Sequence, residues 1–285
     1  MEIAVLITSH NRKHKTLNCL KNLFQQQGIF TQFKLVVYWV NDGCIDGTEV
    51  EIKNLYPNLN IIEGDGNLFW NRGMHLAWKT AAAEKDFDYY LWLNDDTFLF
   101  DNAILEMLSY SVNSDTIISG PTKSKINNEC TYGGYINESL VLPNGTFQTI
   151  HHFNGNCVLI PKRVFERVGY LDSRFQHGLG DFDYGLRAGK LGVKSLLSPN
   201  YIGTCEAHYE LPVWRDSSYP LLVRLKSLYG PISACSPFDY FFFEKRHKGL
   251  FVAIIKVVLT HFRLLFPDYY KIFKKQLKYG RNRQA

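Results

Sequence analysis

Three short polar clusters in this chain have the residue types to hold a charged ligand: Thr8-Ser9-His10-Asn11-Arg12, Asn41-Asp42-Gly43 and Asn94-Asp95-Asp96. Each follows a compact apolar run. Asn, Asp and Gly are favoured in any turn, so one such cluster says little. Three at the ends of buried strands point to one shared ligand site. Asp95 and Asp96 are adjacent carboxylates, which repel unless a cation relieves them. Hard oxygen ligands suit Mg2+ or Mn2+, held jointly with substrate phosphates. The alternative is a solvated turn in which an Asp caps the next helix.

A second constellation is Gly178-Leu179-Gly180-Asp181-Phe182-Asp183-Tyr184-Gly185-Leu186-Arg187. Asp181 falls at a predicted helix N-terminus, where the dipole and free N–H groups favour a carboxylate. There it can act as a general base. The alternative is structural, a helix cap plus an Asp183–Arg187 pair at i,i+4. His208 follows at a predicted strand end, where a single histidine is more often structural. The loop from Gly64 to Gly73 reads GDGNLFWNRG. Its glycines, Gly66 among them, let backbone approach a ligand closely. Trp70 can stack on a sugar or base, and Arg72 can meet a phosphate. Trp70 as a plain core aromatic is the alternative.

These clusters need elements to carry them. Residues 3–8 are a short apolar run, and 15–27 place Leu17, Leu20, Leu23 and Phe24 at helical spacing. Residues 33–40, 59–62 and 89–93 read as further strands, and 73–84 as a helix. Thr48 is placed to cap the helix after the second strand. Alternating buried strands and helices imply a parallel sheet covered on both faces. In such a sheet, ligands bind beyond the carboxyl ends of the strands, where all three polar clusters fall. The pattern then becomes mixed. A helix is predicted over 102–112 and a strand over 116–119. Short β-like pieces follow over 130–160, with a hairpin turn at Leu142-Pro143-Asn144-Gly145. Helices are predicted from Pro161 to 168 and over 181–191, and strands over 193–197 and 201–205. The fold class is α/β: a Rossmann-like, mostly parallel mixed sheet flanked by helices. Residues 1–100 would form a first, alternating half, 101–237 a second, mixed half, and 238–285 a helical tail.

The 285 residues are 46% hydrophobic, too apolar for a disordered chain. No G-x-G-x-x-G follows the first strand, and no G-x-x-x-x-G-K-[ST] occurs, against dinucleotide and P-loop chemistry. G-x-S-x-G is also absent, against an α/β-hydrolase. Six scattered cysteines without a C-x-x-C pair fit reduced thiols and a cytoplasmic setting. Five apolar residues after Met1-Glu2 are too few for a signal peptide.

The formal charge of +5 is unevenly spread. From Glu244 onward eleven basic residues face two acidic ones, a net +9, which leaves −4 for residues 1–243. The tail run GLFVAIIKVVLTHFRLLF has the length of a membrane span but contains Lys256, His261 and Arg263. An amphipathic helix fits better, with Phe251, Ile254, Ile255, Val258 and Phe262 on its apolar face. Its expected partner is an anionic membrane surface rather than nucleic acid. Packing on the enzyme's own core, or in a homodimer contact, is the alternative.

The stretches IAVLITSHNR, VNDGCIDGT, GNLFWNRGM, LWLNDDT and FNGNCVLIPKRVFERVGYLDSRFQHGLGDFDYGLRAGKLG together resemble family 2 glycosyltransferases, the inverting GT-A class. The resemblance covers roughly residues 1–210 and is nearest to bacterial enzymes of surface-polysaccharide synthesis, rhamnosyltransferase-like members included. It implies sugar transfer from a nucleotide-diphosphate donor, UDP- or dTDP-linked, to a glycan or lipid-linked glycan. Mn2+ or Mg2+ would assist, at the inner face of the plasma membrane. Thr8, His10, Asn11 and Arg12 would line the nucleotide pocket, and Asp42 would bond the base. Gly66, Asn67, Trp70, Arg72, Asn94 and Asp95 would complete the donor side. Asp96 would hold the metal with His208 near it. Asp181 would be the catalytic base, and Asn154, Gly155 and Asp183 would meet the acceptor. Asn94 stands at the first position of the family's D-x-D, and Gly180 stands where the family often has Glu. A sugar nucleotidyltransferase is disfavoured because residues 8–12 contain no glycine. A catalytically weak membrane-bound scaffold of a polysaccharide assembly complex is the rival of another class.

Overall fold

The computed structural model describes residues 1–111, 115–207, 211–233 and 236–269. The alternating half holds β1 (Glu2–Ser9), α1 (Lys13–Phe24), β2 (Lys34–Asn41), α2 (Thr48–Leu55), β3 (Asn60–Glu63), α3 (Phe69–Glu84) and β4 (Tyr89–Leu93). Next come β5 (Phe98–Leu99), α4 (Ala103–Ser111), β6 (Thr116–Ser119), β7 (Thr122–Lys123), β8 (Cys130–Tyr132), β9 (Gly134–Ile136) and β10 (Ser139–Leu140). β11 (Gln148–Ile150), β12 (His152–Phe153), β13 (Cys157–Pro161), α5 (Lys162–Val168), α6 (Gly180–Lys190), β14 (Lys194–Leu197) and β15 (Gly203–Thr204) follow. The last helices are α7 (Leu221–Tyr229), α8 (Pro237–Lys248) and α9 (Leu250–Leu265).

The central sheet has eight strands in the order β11-β14-β6-β13-β4-β1-β2-β3. β1 pairs in parallel with β2 and β4, and β2 with β3. All five residues of β4 are buried, as expected for a strand covered on both faces. One core lies under α1, α2 and α4 and includes Leu20, Leu23, Ile52 and Met107. The other lies under α3, α5 and α6 and includes Met74, Trp78, Val164 and Tyr184.

β13 runs antiparallel to its neighbours β4 and β6. Its start therefore lies beside the end of β4, with Cys157 opposite Leu93. This reversal brings residues 154–156 to the same edge as the carboxylate pair, and Asn94 donates its N–H to the Asn156 carbonyl at 2.9 Å.

Four local expectations are corrected. The segment 142–145 is not a hairpin turn: β10 pairs with β9, β11 pairs with β14, and the Gly145 N–H donates to the Pro199 carbonyl. The hairpin instead joins β9 and β10 through Asn137, at positive φ. Thr48 opens α2 rather than capping it, and the Asp46 carboxylate accepts the Thr48 N–H. α3 begins four residues before the predicted Gly73, because the Asp42 carboxylate accepts the N–H groups of Leu68 and Phe69. The strand expected over 201–205 shrinks to the two residues of β15.

The chain divides into two compact units, Met1–Gln176 with Gly180–Ala207, and His177–Leu179 with His208–Ala285. In the second unit Trp214, Leu228 and Leu264 form a small core. The face of α9 predicted to be apolar is exposed: Phe251, Ile254, Ile255, Val258 and Phe262 all lie in solvent. Ala253, Thr260 and Leu264, on the opposite side, are buried. Among the described residues, no helix is long and apolar enough to cross a membrane.

Candidate active site

The carboxyl edge of the sheet gathers the ends of β1, β2 and β4, the start of β13, and the N-termini of α3 and α6. Arg12, just after β1, reaches both carboxylates after β4. Its Nη1 lies 3.0 Å from Asp95 Oδ1, and its Nη2 bonds Asp96 Oδ2. Lys15 Nζ is 3.9 Å from Asp96, and Thr16 donates to Asp95 at 3.4 Å. Asp95 is 3% exposed, and burial pushes its carboxyl up to about 7 despite Arg12. The Cys205 thiol donates to Asp96 Oδ1 at 3.6 Å.

Asp42 is also buried, with one oxygen accepting the N–H groups of Gly66 and Leu68 and the other that of Phe69. Its carboxylate thus shapes the loop from Gly66 into α3. The exposed His10 ring bonds the Asp42 carbonyl through Nδ1, and the exposed Asn11 side chain accepts the Ile45 N–H. Asn67 is exposed and closes a turn on the Asp65 carboxylate.

Asp181 sits in the first turn of α6 as expected. Its Oδ2 accepts the Gly155 N–H at 2.9 Å, and its Oδ1 accepts the Phe182 N–H at 2.8 Å. Burial raises its carboxyl to about 6, against the pull of those N–H groups. Trp70 connects this carboxylate to the Asp95–Asp96 loop. Its Nε1 donates to Asn94 Oδ1 at 2.6 Å, and its six-membered ring fills the space a side chain at Gly155 would need. Asn154 receives the Gly133 N–H on its side-chain oxygen.

Two expected site residues are packed into the fold, and a third is held on a backbone carbonyl. Thr8 is buried under α3, where its Oγ1 occupies the space of any Cβ at Gly73, so it does not line a pocket. Asp183 is fully buried and paired with Arg187 at 2.8 Å, so it cannot meet an acceptor. Arg187 also donates to the carbonyls of Val168 and Tyr170, and the pair locks α6 to the end of α5. Arg72 donates to the Ser173 carbonyl, while the cation on the carboxylate pair is Arg12. His208 lies outside the described residues.

Local sequence reading missed Asn71. It is fully buried, and its amide donates to the carbonyls of Asp172 at 2.8 Å and Phe175 at 2.7 Å. It lies inside a motif quoted for its neighbours, yet its partners are about a hundred residues away.

Among the described residues, no group of three or more His, Cys, Asp or Glu side chains converges as a ready-made metal cage. Two adjacent carboxylates nevertheless suit Mg2+ or Mn2+, which take their remaining ligands from substrate phosphates and water. Arg12 and Lys15 now balance the charge of the pair, so a divalent ion would displace the Arg12 contact.

The model of the family "Glycosyl transferase family 2" matches residues 4–169. Among solved structures, the chain is similar to the mannosyltransferase PcManGT from Pyrobaculum calidifontis, in complex with GDP-Man and Mn2+. The TM-score is 0.56 at 14% identity, over 91% of this chain and 74% of that chain. It is also similar to S. aureus TarS, with a TM-score of 0.51 at 13% identity, over 87% of this chain and 43% of that chain. A comparison with curated protein sequences found no match. The structural likenesses establish the GT-A fold. The family match spans more than half of the chain, and the protein belongs to glycosyl transferase family 2 as a glycosyltransferase.

Proposed function

We propose that the protein moves a sugar from a nucleoside diphosphate donor to a hydroxyl of a glycan or lipid-linked glycan, with inversion at the anomeric carbon. The observation that carries this reading is the placement of Asp181. It is the carboxylate at the N-terminus of α6, fixed by two backbone N–H groups. Trp70 connects its cradle to the Asp95–Asp96 loop.

Asp181 removes the proton from the acceptor hydroxyl as that oxygen attacks C1. The new C1–O bond forms on the face opposite the departing diphosphate, which leaves with the electron pair of its bond to C1. A carboxyl held near 6 is ionised at neutral pH yet basic enough to accept a proton late in the step. Asp96, with Asp95 beside it, would hold a divalent ion that offsets charge on the diphosphate when bound. The Mn2+ in the complex of the P. calidifontis enzyme supports metal use. Arg12 is the nearest protein cation to the same charge. His10, Asn11 and the loop at Gly66 and Asn67 form the nucleoside side.

The acceptor is membrane-bound in this reading, as in the assembly of a surface polysaccharide. The exposed apolar face of α9 supports that. The sequence after α9 adds six basic residues over 270–285, each contributing about 1 kcal/mol near an anionic surface. Donor identity is tested by thermal melts against UDP-, dTDP- and GDP-linked sugars with and without Mn2+. The true donor raises the melting temperature by mass action. A chain that no nucleotide sugar stabilises, and that releases no nucleoside diphosphate, would support the scaffold reading instead.

A further inference from the structure

Transfer requires the acceptor hydroxyl to touch the Asp181 carboxylate. One side of that carboxylate is taken by the Gly155 N–H, with Trp70 packed behind it and bonded to Asn94. That side leads to the Asp95–Asp96 loop and so to the donor. Three aromatic rings cluster nearby, and the Asp181 charge reaches the Tyr135 phenol. Tyr135 and His152 lie directly opposite one another in the β9–β12 pair and stack with centroids 5.3 Å apart and planes 4° apart. Phe182, next to Asp181 in the chain, packs on both, at 5.5 Å from Tyr135 and 4.6 Å from His152.

These rings are not core residues. All three are only half-buried, and neither sheet core includes them. Strand alternation explains this: Phe153 points into the core, so His152 points away from it. Polar groups border the rings. The Asn154 side chain lies near the Tyr135 phenol and receives the Gly133 N–H. Aromatic faces rimmed by an amide and a phenol, beside a general base, match a pyranose ring. Its C–H faces stack on aromatic surfaces and its hydroxyls need polar partners.

We propose that Tyr135, His152 and Phe182, with Asn154 at their rim, form the acceptor subsite and receive the acceptor as a pyranose whose hydroxyl is held at Asp181. This rests on Asp181 being the base. It assigns the small sheet β10-β9-β12 a purpose, to carry the platform. It also makes the terminal sugar of the acceptor, rather than a bare lipid phosphate, the group recognised at the base.

Saturation-transfer NMR on the full chain, with UDP, GDP or dTDP and Mn2+ present, tests this. The probes are methyl glycosides of glucose, galactose, mannose, rhamnose and N-acetylglucosamine. At least one glycoside is expected to receive saturation on its ring protons. The signal should fall at least about fivefold in Phe182→Leu and in Tyr135→Leu, while nucleotide signals stay unchanged. The unchanged nucleotide signals also show that each variant is folded, and Phe182→Leu keeps apolar volume while removing the ring. Asp181→Asn should retain glycoside binding, which separates a failure of the subsite from a failure of the base. If no glycoside receives saturation, or if both variants bind it as well as the native chain, the subsite is overturned.

Discussion

The side-chain oxygen of Asn71 occupies the space that any side chain at position 180 would need. A Cβ built on Gly180 overlaps Asn71 Oδ1 and Cγ. The Asn71 amide meanwhile holds the carbonyls of Asp172 and Phe175, in the segment leading toward α6. Asn71 therefore fixes the start of the helix that carries Asp181, and the absence of a carboxylate at position 180 follows from packing. A buried amide from α3 fills the space where a side chain at position 180 would lie.

A methyl group at position 180 should thus be expelled by Asn71. Gly180→Ala is expected to destabilise the chain by about 1–3 kcal/mol, the usual range for overpacking. Transfer should fall further than stability, because Asp181 moves with the helix start. Asn71→Ala with Gly180→Ala should cost less than the sum of the two single changes, because the clash is gone while the lost carbonyl contacts are counted once. Urea titration and turnover of the two single variants and the double variant give the coupling directly.

Arg12 neutralises two carboxylates at once. Removing it leaves only Lys15 near the pair, and with Arg12 itself 35% exposed the loss should be about 1–3 kcal/mol. Arg12→Ala should melt well below the native chain in EDTA. Mn2+ should restore more stability to Arg12→Ala than to the native chain, because the ion takes the vacated position. Melting curves with and without Mn2+ check both statements.

Asp181 binds its proton more tightly in the folded chain than in the unfolded one, since burial raises its carboxyl from 3.8 to about 6. Its ionisation therefore destabilises the fold progressively between about pH 4 and pH 6, and fully above that. Asp181→Asn should raise stability at pH 8 by about 1–3 kcal/mol and leave it unchanged at pH 4. The transfer rate of the native enzyme should rise with pH through about 6, as the base loses its proton. Denaturation midpoints and a pH–rate profile measure these two effects.

The exposed face of α9 should carry membrane binding. Phe251 is 76% exposed and Val258 60% exposed, so charges there leave the small core of Trp214, Leu228 and Leu264 intact. The native chain should float with anionic liposomes, less so at high salt. Phe251→Asp with Val258→Asp should stay at the bottom of the gradient with an unchanged melting temperature. A chain ending at Phe238 that still floats would refute the role of the tail.

Much of this was legible locally. β4 has the bounds its apolar run predicts, Asp181 lies in the first turn of its helix, and the exposed α9 face is the one helical spacing names. What escaped depends on distant partners. Thr8 looks like a pocket residue until Gly73 brings α3 down on it. Asp183 and Arg187 sit at a spacing that allows a pair, but burial, which decides the matter, comes from the second core. Arg12 finds its carboxylates more than 80 residues away, through the pairing of β1 with β4. The turn at 142–145 has hairpin chemistry, but its flanking strands choose other partners.

The central claim is that Asp181 takes the acceptor proton. The most direct measurement compares donor affinity with transfer rate in Asp181→Asn, using the donor found by the melting panel. The expected dissociation constant is within about twofold of the native value, with transfer slower by about 10²–10⁴-fold. Transfer at a near-native rate with intact donor binding would contradict it.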